Sequence, residues 1–110
     1  MQLERMPRGP SSRLATRESP RGIRSNCIFP GYIDTPMVRT APPAFLEASL
    51  KEIPLGRPGT PADIAPLVVY LISDESLYIS GAEISVDGGE WAHGGTKVYS
   101  DLLRGMNVAR

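Results

Sequence analysis

The residues of this chain that could take part in chemistry are few, and the best candidates lie on one turn. Pro30 and Gly31 directly follow a short apolar run, and Thr35 adds a hydroxyl shortly afterwards. Proline fixes φ and removes a backbone donor, whereas glycine permits close approaches that a side chain would block. Ligands of open α/β sheets bind outside the carboxyl ends of the strands, which is where this turn falls. From the residues alone, a strand-ending turn with a loop hydroxyl remains the simpler interpretation.

The other reactive side chains give no site of their own. His93 is the sole histidine, so a metal site built on imidazoles is excluded, and beside two glycines it is expected to be an exposed loop residue. Cys27 is the sole cysteine and is predicted to be a small core residue of a strand. It cannot form an internal disulfide, so a cytoplasmic location is the default expectation. We expect no metal site.

Charge divides the chain into two parts. Residues 1–24 hold six arginines against two glutamates, a net charge of +4, whereas residues 25–110 hold six basic and ten acidic residues, a net charge of −4. Residues 1–12 lack apolar periodicity and are predicted to be a disordered Arg/Pro-rich leader; prolines and glycines disfavour a transit peptide. Aromatic residues do not interleave with the arginines, and no apolar run reaches eighteen residues. We therefore expect neither nucleic acid nor a membrane as a partner.

Two apolar segments predict strands, and a third predicts the helix between them. Ile23–Phe29 is a compact run that predicts a short, largely buried strand, and Ala82–Val86 alternates with period two before a glycine turn. The intervening helix begins after Thr60, with Pro61 in its first turn and Asp63 completing a capping-box-like pair. It is expected to stop near residues 73–76. Two strands joined through a long helix predict a parallel βαβ unit.

Shorter elements are predicted around this unit. They are a short helix over Arg13–Ser19, a marginal amphipathic helix over Ala44–Ile53 that would suit a lid, and one helical turn over Val98–Leu103 within the tail 92–110. Parallel sheets are normally covered on both faces and extended on at least one edge. The sequence therefore predicts an α/β fold class in which this chain needs further neighbours.

Several stretches, in the right order and at ordinary spacing, resemble the short-chain dehydrogenase/reductase family. The stretch from Gly22 to Met37 resembles the penultimate strand and following loop of that family. Its last helix and last strand are matched by Ile53–Arg57, Gly59–Ala65, Leu71–Ser76 and Ile79–Gly89. The chain is accordingly identified as a member over residues 13–91. The resemblance implies the C-terminal fragment of a doubly wound, Rossmann-like parallel sheet, with the last two strands and the connecting helix.

The resemblance also assigns roles. In that family a proline-glycine turn closes the nicotinamide side of the pocket, while a downstream threonine and the backbone of an intervening aliphatic residue meet the carboxamide and phosphate region. The matching cofactor-binding residues here are Pro30, Gly31, Ile33 and Thr35. An apolar turn packs a flat ring, and a hydroxyl satisfies an amide without introducing charge. The implied cofactor is NAD or NADP, and the implied substrate is a small alcohol, hydroxysteroid or ketone.

The departures from the family concern its catalytic parts. No Gly-x-Gly-x-x-Gly loop occurs, and no tyrosine is followed four residues later by lysine, the family's acid–base pair. No catalytic residue is therefore assigned, and the isolated chain is expected to be an inactive, partial copy that begins near residue 13. A second hypothesis is a non-catalytic module that associates with a full-length relative. Residues 60–76 and 82–91, with Trp91 as an anchor, would form that interface or a homo-oligomer interface. A third is a non-functional remnant that is largely unfolded.

Overall fold

The structure is a computed structural model that describes residues 10–93 and residue 105. Three α-helices are present in this part of the chain: α1 (Pro10–Glu18), α2 (Pro43–Lys51) and α3 (Pro61–Ile72). The two strands are β1 (Cys27–Pro30) and β2 (Glu83–Val86). Short 3-10 helices cover Ser19–Arg21, Val38–Thr40, Asp74–Ser76 and Glu90–His93.

The described residues divide into two compact units. The first contains residues 10–29 and 65–84, and the second contains residues 30–64 and 85–93. The beginnings of both strands and most of α3 belong to the first unit. The turns that follow the strands belong to the second unit, together with α2 and the start of α3.

β1 and β2 pair in parallel. The amide of Cys27 donates to the carbonyl of Ala82 at 2.8 Å, and the amide of Gly31 donates to the carbonyl of Val86 at 3.0 Å. Residue numbers rise in the same direction on both sides of the ladder, as parallel pairing requires. The predicted α/β class is confirmed.

The first strand is shorter and less buried than the sequence predicts. Residues 23–26 lie outside β1, and Ile23 is exposed. Asn26 explains the difference, because its side chain donates to the carbonyl of Ile79 at 3.0 Å and accepts from the amide of Ala82 at 3.0 Å. A side chain thus takes the place of backbone pairing just before the strand. Within β1, Phe29 and Pro30 are also exposed.

Arg24 secures the carboxyl end of α3. Its guanidinium donates to the carbonyls of Leu71 at 2.9 Å, Ser73 at 3.3 Å and Ile79 at 3.2 Å, and to the hydroxyl of Ser76 at 3.2 Å. The last carbonyls of a helix have no partner within the helix, so they need such donors. Arg24 is therefore a structural cap, although it lies in the strand that the sequence predicts.

Helix α1 begins at Pro10, three residues earlier than expected, and so includes residues 10–12 of the segment predicted to be a leader. Ser11 donates to the carboxylate of Glu83 at 3.1 Å, and Ser12 donates to the carbonyl of Gly81 at 3.4 Å. Ala15 is buried, and its Cβ leaves little room beside Gly81. Hydrogen bonds from Ser11 and Ser12 hold this helix in place, although its sequence has no apolar periodicity. Residues 1–9, the helical turn predicted over Val98–Leu103 and nearly all of the tail lie outside the described residues.

The other two helices follow their predictions closely. The carboxylate of Asp63 accepts from the amide of Thr60 at 2.8 Å and from its hydroxyl at 3.1 Å, which is the acidic half of a capping box. Helix α3 ends at Ile72, just before the predicted stop near residues 73–76. Helix α2 stops before Ile53, because the amides of Glu52 and Ile53 bond three residues back and tighten the last turn.

Few apolar side chains are buried within residues 11–92. They are Ala15 and Leu71 in the first unit and Ile53 in the second. Along α3, Val69 is 62% exposed and Ile72 is 76% exposed. Within the described part of the chain, no helix combines the length and apolar character needed to cross a membrane.

Candidate cofactor-side site

The turn after β1 is packed directly against the turn after β2. A Cβ placed on Gly31 would lie 2.6 Å from the Cβ and 2.8 Å from the Cα of Asp87. Cβ atoms do not approach backbone this closely, so no residue with a side chain fits at position 31. The sequence predicts a close approach at Gly31, and the neighbouring residue is Asp87.

Ile33 is held by a short parallel bridge to Gly59. The amide of Asp34 donates to the carbonyl of Gly59, and the amide of Gly59 donates to the carbonyl of Tyr32, both at 2.8 Å. Tyr32 and Asp34 make both bonds, so the N–H and C=O of Ile33 itself face away from Gly59. A Cβ on Gly59 would lie 2.6 Å from the Cδ1 of Ile33, so the end of this side chain packs closely against the glycine.

Thr35 starts the 3-10 helix Val38–Thr40. Its hydroxyl oxygen accepts from the amide of Val38 at 3.4 Å, and its carbonyl accepts from the amide of Arg39 at 3.1 Å. A hydroxyl that accepts a hydrogen bond still has a proton to donate. Thr35 is half-buried.

The carboxylate of Asp34, between Ile33 and Thr35, is neutralised locally. Arg39 donates to its two oxygens at 2.8 and 3.1 Å. This bidentate hydrogen bond and the charge of Arg39 hold the pKa of Asp34 below its ordinary value, and also raise the pKa of Arg39. The segment from Pro30 to Thr35 therefore presents an apolar turn, backbone groups and a hydroxyl, with its acidic side chain paired.

The carboxylate of Asp87 stabilises the turn in which Asp87 lies. One oxygen accepts from the amide of Gly89 at 3.0 Å, and the other accepts from the amide of Trp91 at 3.1 Å. These bonds cap the 3-10 helix Glu90–His93, as aspartate does at helix starts. Both Gly88 and Gly89 have positive φ values, 65° and 92°. The sequence predicts this tight turn, and the structure assigns Asp87 to building it.

The segment after α2 contacts the same turn. A Cβ on Gly88 would lie 2.7 Å from the Cγ2 of Ile53, and a Cβ on Gly89 would lie 3.2 Å from the Cγ of Pro54. The amide of Leu55 donates to the carbonyl of Gly88 at 3.1 Å. Sequence reasoning missed this contact. The available signal was the pair of consecutive glycines after Asp87, which permits close packing on both sides of the turn.

A cavity of about 140 Å³ lies in the second unit. Three segments and Asp63 line it. The lining residues are Tyr32, Ile33, Leu55, Arg57, Gly59, Asp63, Val86, Asp87 and Gly88. Ile33 lines it, whereas Pro30, Gly31 and Thr35 do not. Pockets for cofactors and drug-sized ligands measure roughly 300–1,000 Å³, so this cavity alone is too small for a dinucleotide.

Asp63 carries the most perturbed carboxylate near this cavity. Arg57 donates to its two oxygens at 3.0 and 3.5 Å, and Thr60 adds the two bonds that cap α3. The hydrogen bond from Arg57, followed by those from Thr60, lowers the pKa of Asp63 to about 2. Its oxygens are thus bonded to Arg57 and Thr60, and its role is structural.

The remaining candidates have the following positions. Cys27 is half-buried with a free thiol, and Trp91 is 73% exposed. His93 ends a 3-10 helix, and its side chain lies outside the described residues. Within residues 10–93, no three histidine, cysteine or acidic side chains are grouped as a metal would require. The four predicted cofactor-binding residues lie on one continuous segment at the carboxyl end of β1.

A parallel strand pair with an intervening helix and glycine turns at its carboxyl ends defines the Rossmann-like α/β class. A family model described as enoyl-(acyl carrier protein) reductase matches residues 9–90. The chain belongs to the short-chain dehydrogenase/reductase family, which confirms the family predicted from its sequence.

Two curated relatives illustrate this relation. The chain is 46% identical over 69 residues to a 3-oxoacyl-(acyl carrier protein) reductase from Thermotoga maritima, covering 63% of this chain and 28% of that protein. It is 47% identical over 79 residues to an acetoacetyl-CoA reductase from Shinella zoogloeoides, covering 71% of this chain and 33% of that protein. The chain thus spans about a third of the length of the curated relatives it matches.

Solved structures agree on the fold. A protein from Agrobacterium tumefaciens, proposed to be a 2-deoxy-D-gluconate 3-dehydrogenase and solved with bound NADP, superposes with a TM-score of 0.71. It is 40% identical, and the match covers 74% of this chain and 34% of that one. The predicted Rossmann-like α/β class is confirmed.

Proposed function

We propose that this chain supplies the cofactor-side part of an NAD(P)-dependent oxidoreductase that acts on the CH–OH group of an alcohol, hydroxysteroid or ketone. The observation that carries the proposal is the segment Pro30–Thr35, fixed at the carboxyl end of β1 by the contact of Gly31 with Asp87. Family membership supports it, since two of the relatives named above are reductases and the third, a proposed dehydrogenase, was solved with bound NADP.

The four residues are proposed to contact different parts of a nicotinamide cofactor. Pro30 and Gly31 form an apolar turn that packs against the ring. The N–H and C=O of Ile33 face away from Gly59 and would bond the carboxamide, and the hydroxyl of Thr35 would donate to the carboxamide or phosphate region. When bound, NAD or NADP supplies or accepts the hydride. The residues of this chain bind the cofactor and orient it.

The chain by itself is proposed to be inactive. Proton transfer to or from the carbinol oxygen needs a positioned acid–base group, and the Tyr-x-x-x-Lys pair that serves this purpose in the family does not occur in the sequence. The missing part of the site is expected to come from sequence outside these 110 residues. A cytoplasmic location is part of the same proposal.

A chimera tests the proposal directly. The segment of the Shinella acetoacetyl-CoA reductase that aligns with this chain over 79 residues is replaced by the matching residues of this chain. We expect the chimera to oxidise NADPH with acetoacetyl-CoA, while the isolated chain at micromolar concentration shows no turnover. A folded chimera that binds no nicotinamide cofactor would refute the cofactor-side role, and turnover by the purified isolated chain would refute its inactivity.

A second candidate is a non-catalytic module that associates with a full-length relative or with itself. The exposed apolar residues of α3, Val69 and Ile72, favour it. Residues 60–76 and 82–91 would form the interface. Co-expression with the Shinella reductase, followed by size-exclusion chromatography, should give co-elution that Ile72→Glu abolishes. Tyr78→Glu is the matched control, because this tyrosine is 93% exposed and lies outside the interface. Failure of the wild-type chain to co-elute would exclude association with that reductase.

A further inference from the structure

The turn Asp87-Gly88-Gly89 contacts two other segments at once. On one side, Asp87 contacts Gly31 of the proposed cofactor-binding turn. A Cβ placed on Gly31 would lie 2.6 Å from the Cβ of Asp87. On the other side, Gly88 contacts Ile53, which follows α2. A Cβ placed on Gly88 would lie 2.7 Å from the Cγ2 of Ile53. Hydrogen bonds reinforce both contacts, from Gly31 to Val86 at 3.0 Å and from Leu55 to Gly88 at 3.1 Å.

Neither contact has room to adjust. The two atoms nearest to a Cβ at Gly31 are the Cβ and Cα of Asp87, which move only with the backbone, and Glu90 Oε2 follows at 3.3 Å. Ile53 is 2% exposed, so its side chain is enclosed by protein. The carboxylate of Asp87 further fixes the turn through the amides of Gly89 and Trp91. In a close-packed region, a displacement at one contact must appear at the other.

We propose that Asp87 and Gly88 are positioning residues for the cofactor. They fix the location of Gly31, and through it the packing of the nicotinamide ring, without touching the cofactor themselves. This inference rests on the proposed function of the segment Pro30–Thr35. It assigns to the turn Asp87-Gly88-Gly89 a role in cofactor affinity, in addition to the hydrogen bonds that hold the turn itself together.

Gly88→Ala is the test variant, and the chain offers a matched control. A methyl group at position 88 collides with Ile53, and the φ of 65° adds backbone strain. Gly56→Ala carries the same kind of strain, since the φ of Gly56 is 76°, but a Cβ there meets nothing within 4 Å. The difference between the two variants therefore isolates the collision from the cost of a left-handed backbone.

The experiment is a titration of the ¹⁵N-labelled chain with NADP⁺, followed by amide chemical shifts. In the wild type, NADP⁺ should shift the amides of Gly31, Ile33 and Thr35. Gly88→Ala should weaken this binding by about tenfold, whereas Gly56→Ala should stay within about twofold of the wild type. Equal affinities for the two variants would overturn the positioning role. Gly89→Ala, with a milder contact of 3.2 Å to Pro54, gives an intermediate loss if Gly88→Ala does not fold.

A cofactor-free comparison separates the two proposals. If NADP⁺ shifts no amide of the folded wild type, the proposed cofactor-side function fails for this chain. The positioning role is then decided by the free variants: the amides of Gly31 and Tyr32 must shift in Gly88→Ala and remain in place in Gly56→Ala. Unchanged amides at residues 31 and 32 in folded Gly88→Ala would overturn it.

Discussion

The turns after the two strands and the outer surface of α3 differ sharply in packing. At the turns, Gly31 and Gly88 leave no space even for a methyl group. On α3, neighbouring apolar residues such as Val69 and Ile72 remain mostly exposed. Residues of this chain therefore supply the close packing around the candidate site. No described residue covers the apolar surface of the helix at Val69 and Ile72.

The difference has an energetic consequence. Full burial of a valine or isoleucine side chain stabilises a fold by roughly 1.5–3 kcal/mol relative to exposure. Val69 and Ile72 contribute little of this stabilisation because they are mostly exposed, whereas Leu71 contributes most of it because it is 8% exposed. Stability of the isolated chain should therefore depend on a few buried side chains and on the close contacts at the turns.

Adjacent residues of α3 should give the largest contrast. Leu71→Ala removes a buried side chain and is expected to lower the free energy of unfolding by about 2–5 kcal/mol, or to abolish the cooperative transition. Ile72→Ala removes an exposed side chain and should change it by less than about 0.5 kcal/mol. Urea unfolding followed by circular dichroism measures both. Similar losses would mean that Ile72 is buried in solution, through a contact that the structure lacks.

The glycines of the site should give the next largest contrast. Gly31→Ala places a methyl group against the backbone of Asp87 and is expected to cost about 1–3 kcal/mol. Gly59→Ala meets the Cδ1 of Ile33 at the same 2.6 Å, but this atom is the end of a side chain that can change rotamer. Its cost should be smaller, and thermal unfolding compares the two. A larger loss for Gly59→Ala would contradict the packing described around Gly31.

The smallest effect should appear at low pH. Hydrogen bonds from Arg57 and Thr60 lower the pKa of Asp63 to about 2, below its value of 3.8 in an unfolded chain. The stability that this carboxylate contributes is fully present above pH 4 and is lost as the pH falls through 2. Carboxyl NMR should show a titration midpoint near 2 that Arg57→Gln moves upward. Arg39→Gln is the control, because it should move Asp34 and leave Asp63 unchanged.

The sequence predicts those elements that local patterns determine. The Thr60 cap and apolar period give α3, and the alternation before Asp87 gives β2. The start of α1 and the length of β1 could not be predicted, because hydrogen bonds from Ser11, Ser12 and Asn26 to distant residues decide them. Such contacts have no period along the chain.

The candidate site shows the same division. Pro30, Gly31, Ile33 and Thr35 follow from the family resemblance. That Gly31 touches Asp87, and that Gly88 touches Ile53, depends on which turns the fold brings together. Glycines in the sequence indicate that some close approach is needed, but they do not identify the neighbour.

Thr35 provides the most direct test of the cofactor-side role. In the chimera with the Shinella reductase, Thr35→Val removes the hydroxyl and should raise the KM for NADPH by about tenfold, as expected for loss of one hydrogen bond. Thr40→Val is the control; it removes a hydroxyl that donates to the carbonyl of Met37 at 2.7 Å, outside the proposed site. The proposed role predicts that the KM changes with Thr35→Val alone. Equal KM values in the two variants would contradict it.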